Sequence, residues 1–304
     1  MKAVFDTKPT SVYDDDQTEH YQFPRRYLNT VTQCIGDWVV LRRPRADGGN
    51  LAYFAVAKIG AVEPDQNDAA MSYARYADFM PFDNPVPWYA NDRYAEEALR
   101  NIPRAEVGVY LRGRSVRPIS GDDFLDLVVS GLARTLSEGG LPSYLLDGAG
   151  SILEALAGEL PEERERRVQQ VLTSRPVRDA NFRTLVCDAY DNRCAVTGLR
   201  MFDHKGNPEV QGAHIWGVAQ GGPDVIQNGI ALTATVHWLF DRHLISLSDD
   251  YKILVAESRI PSAFWGFFGG LRRQLLLPKR EADRPHSGYI GKRRELFFEK
   301  NGRN

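Results

Sequence analysis

Three pieces of text between residues 193 and 245 limit the fold of this chain most tightly: RCAVTG, GAHIWG and QNGIALTATVHWLFDRHLI. A short apolar stretch ends at His214. The segment GVAQGGPDVIQ that follows is rich in turn formers and reads as a loop. A second apolar piece, IAL, runs directly into a helical pattern, so strand, loop, strand and helix follow in close succession. Asn228 lies fourteen residues after His214, and His237 nine after Asn228. On a helix, Asp241 stands one turn beyond His237, and both side chains share a face. A histidine and a carboxylate at that spacing suit a divalent cation.

These side chains have the parts that phosphodiester hydrolysis requires. An imidazole can take a proton from water near neutral pH. A cation held by His237 and Asp241 can neutralise charge on the phosphate and the leaving oxygen. A hydrogen-bonding side chain such as Asn228 can aim the base. The order and spacing resemble the HNH (ββα-metal) endonuclease superfamily, over about residues 178–260. The resemblance implies His214 as general base, Asn228 as an orienting or metal-side group, and His237 with Asp241 as metal ligands. It also implies Mg²⁺ or Mn²⁺ as cofactor. Two departures stand out. Many such sites carry an Asp or His immediately before the base, where this chain has Ala213, and many carry two Cys pairs. Here Cys34, Cys187 and Cys194 form no Cys-x-x-Cys pair, so no structural zinc is expected and apolar packing must hold the domain.

Upstream the text changes character. WVVLRR (38–43) and YFAVAKI (53–59) read as strands around the turn-forming run at 46–50. MSYARYADFM (71–80) and VGVYLRG (107–113) read as further strands. Several short strands with few helices suggest a small β-barrel. From Ser120 the pattern is helical: GDDFLDLVVSGLARTL, then PEERERRVQQVL (161–172) with Pro and acids at its start, then RDANFRTLVCDAYDNR (178–193). The expected organisation is a disordered segment at 1–19, a β-barrel domain at 20–118, a helical linker at 119–177 and the nuclease-like domain at 178–304. The fold class is α+β. The formal net charge of -2 gives no global nucleic-acid signal, but residues 261–304 hold ten Lys/Arg against four Asp/Glu. A local excess of that kind can meet phosphates. No apolar run reaches membrane-helix length and the N-terminal text is polar, so a cytoplasmic protein is expected.

FPRRYL, GDWVVLRRPR, YFAVAKI and the run at 73–88 resemble the EVE/PUA-like domains attached to some HNH nucleases. Related folds hold modified bases in an aromatic pocket. The resemblance implies that Trp38, Tyr53, Tyr73, Tyr76 and Trp88 line a pocket for a flipped base carrying 5-methylcytosine or 5-hydroxymethylcytosine. Arg25, Arg42, Arg43, Arg242, Lys292 and Arg293 are the candidate phosphate contacts, with Arg26 and Arg45 beside the first group. The joint reading is a restriction-type endonuclease for double-stranded DNA with modified cytosine, active as a homodimer. The competing readings are an HNH nuclease with another nucleic-acid target and a non-catalytic reader of modified bases. His243 follows the helix and reads as an end cap or a neighbour of the site. Cys187 and Cys194 read as core, and His204 as a surface-turn residue.

Overall fold

The computed structural model describes residues 1–7, 16, 18–44, 51–137, 152–157, 159–261 and 274–302. The turn at 46–50, Arg45 and part of the basic C-terminal segment lie outside the described residues. The chain divides into two compact units, Met1–Asn181 and Phe182–Asn304.

The first unit is built on one mixed sheet. Its strands are β1 (Ala3–Asp6), β2 (His20–Pro24), β3 (Trp38–Arg43), β4 (Ala52–Pro64), β5 (Met71–Pro87) and β6 (Val116–Pro118). They are ordered β2-β5-β4-β3-β1-β6, with β1 parallel to β3 and antiparallel to β6. The expected pairing of 38–43 with the strand after 51 is present, antiparallel, with a register shift between Leu41 and Arg42. Further register shifts along β4 and β5 bend the two longest strands. β2 and β6 end the order, so the expected closed barrel is an open, curled sheet among the described residues.

Three expectations are corrected here. Ala3–Asp6 is a strand with Ala3, Val4 and Phe5 fully buried, so this part of 1–19 is ordered. Its apolar AVF triplet is too short to stand out of acidic text. Second, the 107–113 stretch is not a strand: α1 (Arg104–Tyr110) covers most of it. Val107 is buried while Val109 is 59% exposed, so the alternation of apolar residues does not mark a sheet face. Third, the helical segment expected as a linker is core. In α2 (Gly121–Gly131), capped by the Ser120 hydroxyl accepting from the Asp123 N–H, Phe124, Leu125, Leu127 and Val128 are buried with Val4, Val40 and Met80. Val168, Val171 and Leu172 of α3 (Pro161–Thr173) join the same cluster. Three apolar residues on one stripe suffice to dock a charged helix.

Trp38 and Tyr53 belong to this cluster, at 1% and 0% exposure, and so cannot stack on a base as they stand. The Tyr53 hydroxyl donates to Glu96 at 2.6 Å, and Glu96 accepts from Arg117 Nε at 2.7 Å. Arg42 and Arg117 both meet Asp6, at 2.8 and 3.2 Å. Arg42 is thus spent on a buried ion pair, not on phosphate. Burial acts to raise the Glu96 pKa, but the Arg117 hydrogen bonds and charge outweigh it and hold the carboxylate below its usual range. Tyr73, Tyr76 and Trp88 are partly exposed. Tyr73 meets His20 edge-on, Tyr76 packs against the cluster around Phe23 and Leu41, and Trp88 meets Tyr94 edge-on beneath the Arg42 guanidinium. Trp88 packs against the cluster that holds Trp38 and Tyr53, and Tyr76 against a different one.

The network sets a stability prediction. Arg117→Met removes the cation that compensates the buried Glu96 and one of the two that face Asp6, and should lower the unfolding free energy by about 3–5 kcal/mol. Urea unfolding followed by circular dichroism measures it; a change below about 1 kcal/mol would show the network to be incidental.

Candidate active site

The second unit begins inside α4 (Arg175–Ala189), whose Phe182, Val186 and Cys187 enter its core. The strands β7 (Gln211–His214) and β8 (Gly229–Leu232) pair antiparallel, with His214 opposite Gly229 and Gln211 opposite Leu232. α5 (Ala234–Asp241) follows at once, its first N–H met by the Glu209 carboxylate at 3.1 Å. β9 (Ile245–Leu247) and β10 (Ile253–Val255) form a second ribbon, and α6 (Ser287–Asn301) packs against β9. The strand–loop–strand–helix succession expected from the sequence is present. Cys187 and Cys194 are buried, in accord with the core reading. Gly229 is required by α4: a Cβ there would stand 2.2 Å from Val186 Cγ2.

A cleft of about 380 Å³ opens on this unit, lined in part by His214, His237, Asp241, His243 and Arg293. Two histidine–acid pairs face it. His214 ends β7 and its ring stacks on Phe182, with centroids 3.7 Å apart and planes 5° from parallel. Its Nε2 lies 2.9 Å from Asp224 Oδ1. A carboxylate accepts the Nε2 proton of a neutral imidazole, which leaves the lone pair on Nδ1. His237 is 24% exposed on α5, with Nδ1 3.0 Å from Gln211 Oε1 and Nε2 3.4 Å from Asp241 Oδ2. An amide oxygen can only accept, so Nδ1 donates and Nε2 keeps a lone pair beside the carboxylate.

Of the two roles expected of Asn228, orienting and metal-side, its contacts favour the orienting one. It is 0% exposed, and every polar atom of its side chain is engaged. Its Oδ1 accepts from the Trp216 N–H at 2.8 Å; its Nδ2 donates to the Trp216 and Pro223 carbonyls, each at 2.9 Å. The Asn228 carbonyl also accepts from the Ile215 N–H at 2.8 Å. Asn228 is not among the residues that line the cleft, and these bonds stitch the 215–228 loop. Gly222 belongs to the same knot, since a Cβ there would lie 1.8 Å from the Trp216 carbonyl oxygen.

His237 Nε2 and Asp241 form a hard nitrogen–oxygen donor pair open to the cleft. Ala213 is 1% exposed and has no donor. Among the described residues no three His, Cys, Asp or Glu side chains gather as a metal cage. A donor set this small fits Mg²⁺ or Mn²⁺, which retain waters and accept substrate phosphate oxygens, better than a caged structural ion. Of the candidate phosphate contacts, Arg25 and Arg242 are exposed, and Arg43 is half-buried with its guanidinium over Phe54. Lys292 is exposed with its ammonium over the Trp216 ring. Arg293 lines the cleft but is 7% exposed, donates to the Phe240 carbonyl and lies over the Phe240 ring. Burial lowers its pKa to about 10, which leaves it charged at neutral pH. His243 lines the cleft, and burial, then Arg293 and Lys300, hold its pKa below the usual histidine value.

Sequence reasoning missed Asp224, Gln211 and Phe182. Asp224 sits ten residues past His214 behind Gly221-Gly222-Pro223, with no periodicity to mark it. Gln211 pairs with His237 only through the strand–helix geometry.

A histidine ending one strand, a stitched loop, a second strand and a helix bearing a histidine–aspartate pair define a ββα-type nuclease site. An HNH endonuclease family model, HNH_2, matches residues 194–248, so this segment is an HNH endonuclease domain. The chain is similar in structure to a modification-dependent TagI restriction endonuclease, at 15% identity and TM-score 0.31, over 97% of this chain and 80% of that one. It is also similar to Rpa0253 from Rhodopseudomonas palustris, at 19% identity and TM-score 0.32, over 43% of this chain and 92% of that one. The phosphorothioation-dependent restriction endonuclease ScoMcrA matches at 16% identity and TM-score 0.21, over 78% of this chain and 49% of that one. No curated protein sequence matches the chain. Among the described residues, no helix is long and apolar enough to cross a membrane.

The Asn228 knot yields a prediction that needs no metal. Asn228→Ala strands the Trp216 and Pro223 backbone groups, and should lower the unfolding free energy by about 2–3 kcal/mol. Denaturant unfolding in EDTA tests this; an unchanged stability would return Asn228 to a metal-side role.

Proposed function

We propose that this protein is a metal-dependent endodeoxyribonuclease of restriction type. The observation that carries the reading is the pair of oriented histidines, His214 on Asp224 and His237 beside Asp241, lining one cleft of an HNH domain. In this reading His214 is the general base. Its Nδ1 takes a proton from water as the oxygen attacks phosphorus and the bond to the leaving oxygen breaks. Asp224 holds the Nε2 proton and stabilises the imidazolium that forms, while Phe182 fixes the ring plane. A divalent cation held by His237 and Asp241 would neutralise charge developing on the phosphate and leaving oxygen. One cleft cuts one strand, so cleavage of both strands needs two copies or two encounters.

The finer reading is that the first unit selects modified cytosine, supported by its sequence resemblance to EVE/PUA-like domains. With Trp38 and Tyr53 in the core, Tyr73, Tyr76 and Trp88 remain as the partly exposed candidate aromatics. One methyl adds only about 1 kcal/mol by area, so such selection requires a close-fitting surface.

A plasmid-nicking assay with Mg²⁺ or Mn²⁺ tests the chemistry. His214→Ala and His237→Ala should each lower the rate by about 10²–10⁴-fold with melting temperature nearly unchanged, and EDTA should stop the wild type. Asp224→Asn should lose about 10–100-fold, because an amide can turn its N–H toward Nε2 and force the proton onto Nδ1. Near-normal turnover by His214→Ala would reject its assignment as the base. Matched duplexes carrying cytosine, 5-methylcytosine or 5-hydroxymethylcytosine test the finer reading. Faster cutting of a modified duplex is expected, and equal rates on all three would reject it.

A further inference from the structure

α5 ends in a pattern of backbone hydrogen bonds whose usual residue is not the one found here. The His243 N–H donates to the Phe240 carbonyl at 2.9 Å, and the Leu244 N–H to the Leu239 carbonyl at 2.9 Å. These are the paired bonds of a Schellman motif, and they put His243 at the position where glycine is commonest. Its φ is +55°, a left-handed conformation that a Cβ disfavours. The conformation is held from outside as well: Asn301 Nδ2 on α6 donates to the His243 carbonyl at 2.7 Å. A chain that needed only to end the helix would be better served by glycine. Strain of this kind persists where a side chain is wanted at a particular place.

The place is the cleft, where His243 lines the wall with His214, His237 and Asp241. Its Nδ1 is buried with no hydrogen-bond partner among the described residues, so Nε2 is the nitrogen that can meet a ligand. A neutral imidazole carries one N–H, and on Nδ1 it would be an orphaned donor. The proton therefore belongs on Nε2, which makes that nitrogen a donor. A donor calls for an acceptor, and among the described residues no cage of three His, Cys, Asp or Glu side chains would enlist it as a metal ligand.

We propose that His243 is a substrate contact, donating through Nε2–H to an oxygen of the DNA phosphodiester held between His214 and the His237–Asp241 pair. The proposal rests on the nuclease reading and deepens it. The Cβ strain at this position is tolerated for a phosphate contact that glycine cannot make.

Because glycine suits the backbone here, one substitution separates function from fold. In the full-length protein, His243→Gly should keep or raise the melting temperature while lowering the Mg²⁺-dependent nicking rate by about 10- to 100-fold, the loss of one hydrogen bond to a charged oxygen. Its affinity for a duplex, read by fluorescence anisotropy in EDTA, should also fall. His243→Asn tolerates the left-handed conformation and keeps an N–H donor, so it should recover part of the rate. Nicking by His243→Gly at the wild-type rate would overturn the contact while leaving the nuclease reading intact. Equal losses in both variants, each matched by a fall in melting temperature, would also overturn it by assigning His243 a structural role. A wild type that cuts no DNA would overturn the nuclease reading and the contact together.

Discussion

The site depends on one buried amide. Asn228 ties the backbone at Trp216 to the backbone at Pro223 through three side-chain hydrogen bonds, with no exposure to solvent. That knot fixes the loop leading to Asp224, and Asp224 in turn sets which nitrogen of His214 carries the proton. The orientation of His214 therefore begins at a residue outside the cleft lining. Buried polar groups of this sort are high-stakes: satisfied, they make a loop as rigid as a strand, and partly satisfied, they cost more than an apolar replacement. The His237 side follows the same logic, with Gln211 reaching from strand to helix to set the proton on His237.

Much of the nuclease domain was legible because its elements are short, ordered and chemically marked. His214 at a strand end, the apolar IAL step and the His237–Asp241 helical turn all stand where spacing put them. The roles within the set were less legible. Asparagine beside two histidines reads equally as a ligand, an orienter or a loop stitch, and only the count of its hydrogen bonds decides. Asp224 was invisible for the same reason: turn-rich text carries no period, so nothing along the chain shows which of its polar residues will face a histidine.

The first unit was less legible, and the failures share a cause. Aromatic, β-branched text marks residues that pack well on a sheet without saying which face is covered. Trp38 and Tyr53 looked like a binding surface but are covered by α2 and α3, helices whose apolar stripes are narrow enough to pass for linkers. Arg42 looked like a phosphate contact but answers Asp6 within the sheet. Charge and aromaticity were correctly read as present; what covers them is a tertiary fact.

The position of β1 has a consequence for how the first unit assembles. Ala3 pairs with Pro118 and Val4 with Val40, so a strand near one end of the unit's text is completed only by partners far along it. The entropy cost of closing so long a loop grows only logarithmically with its length, but contacts of high sequence separation slow the search for the native state. During synthesis β1 would emerge well before either neighbour, as an apolar segment without a sheet to join. Chaperone dependence and a slow refolding limb would then be traits of this first unit, while the second unit, stitched largely from neighbours in sequence, would reach its folded geometry sooner.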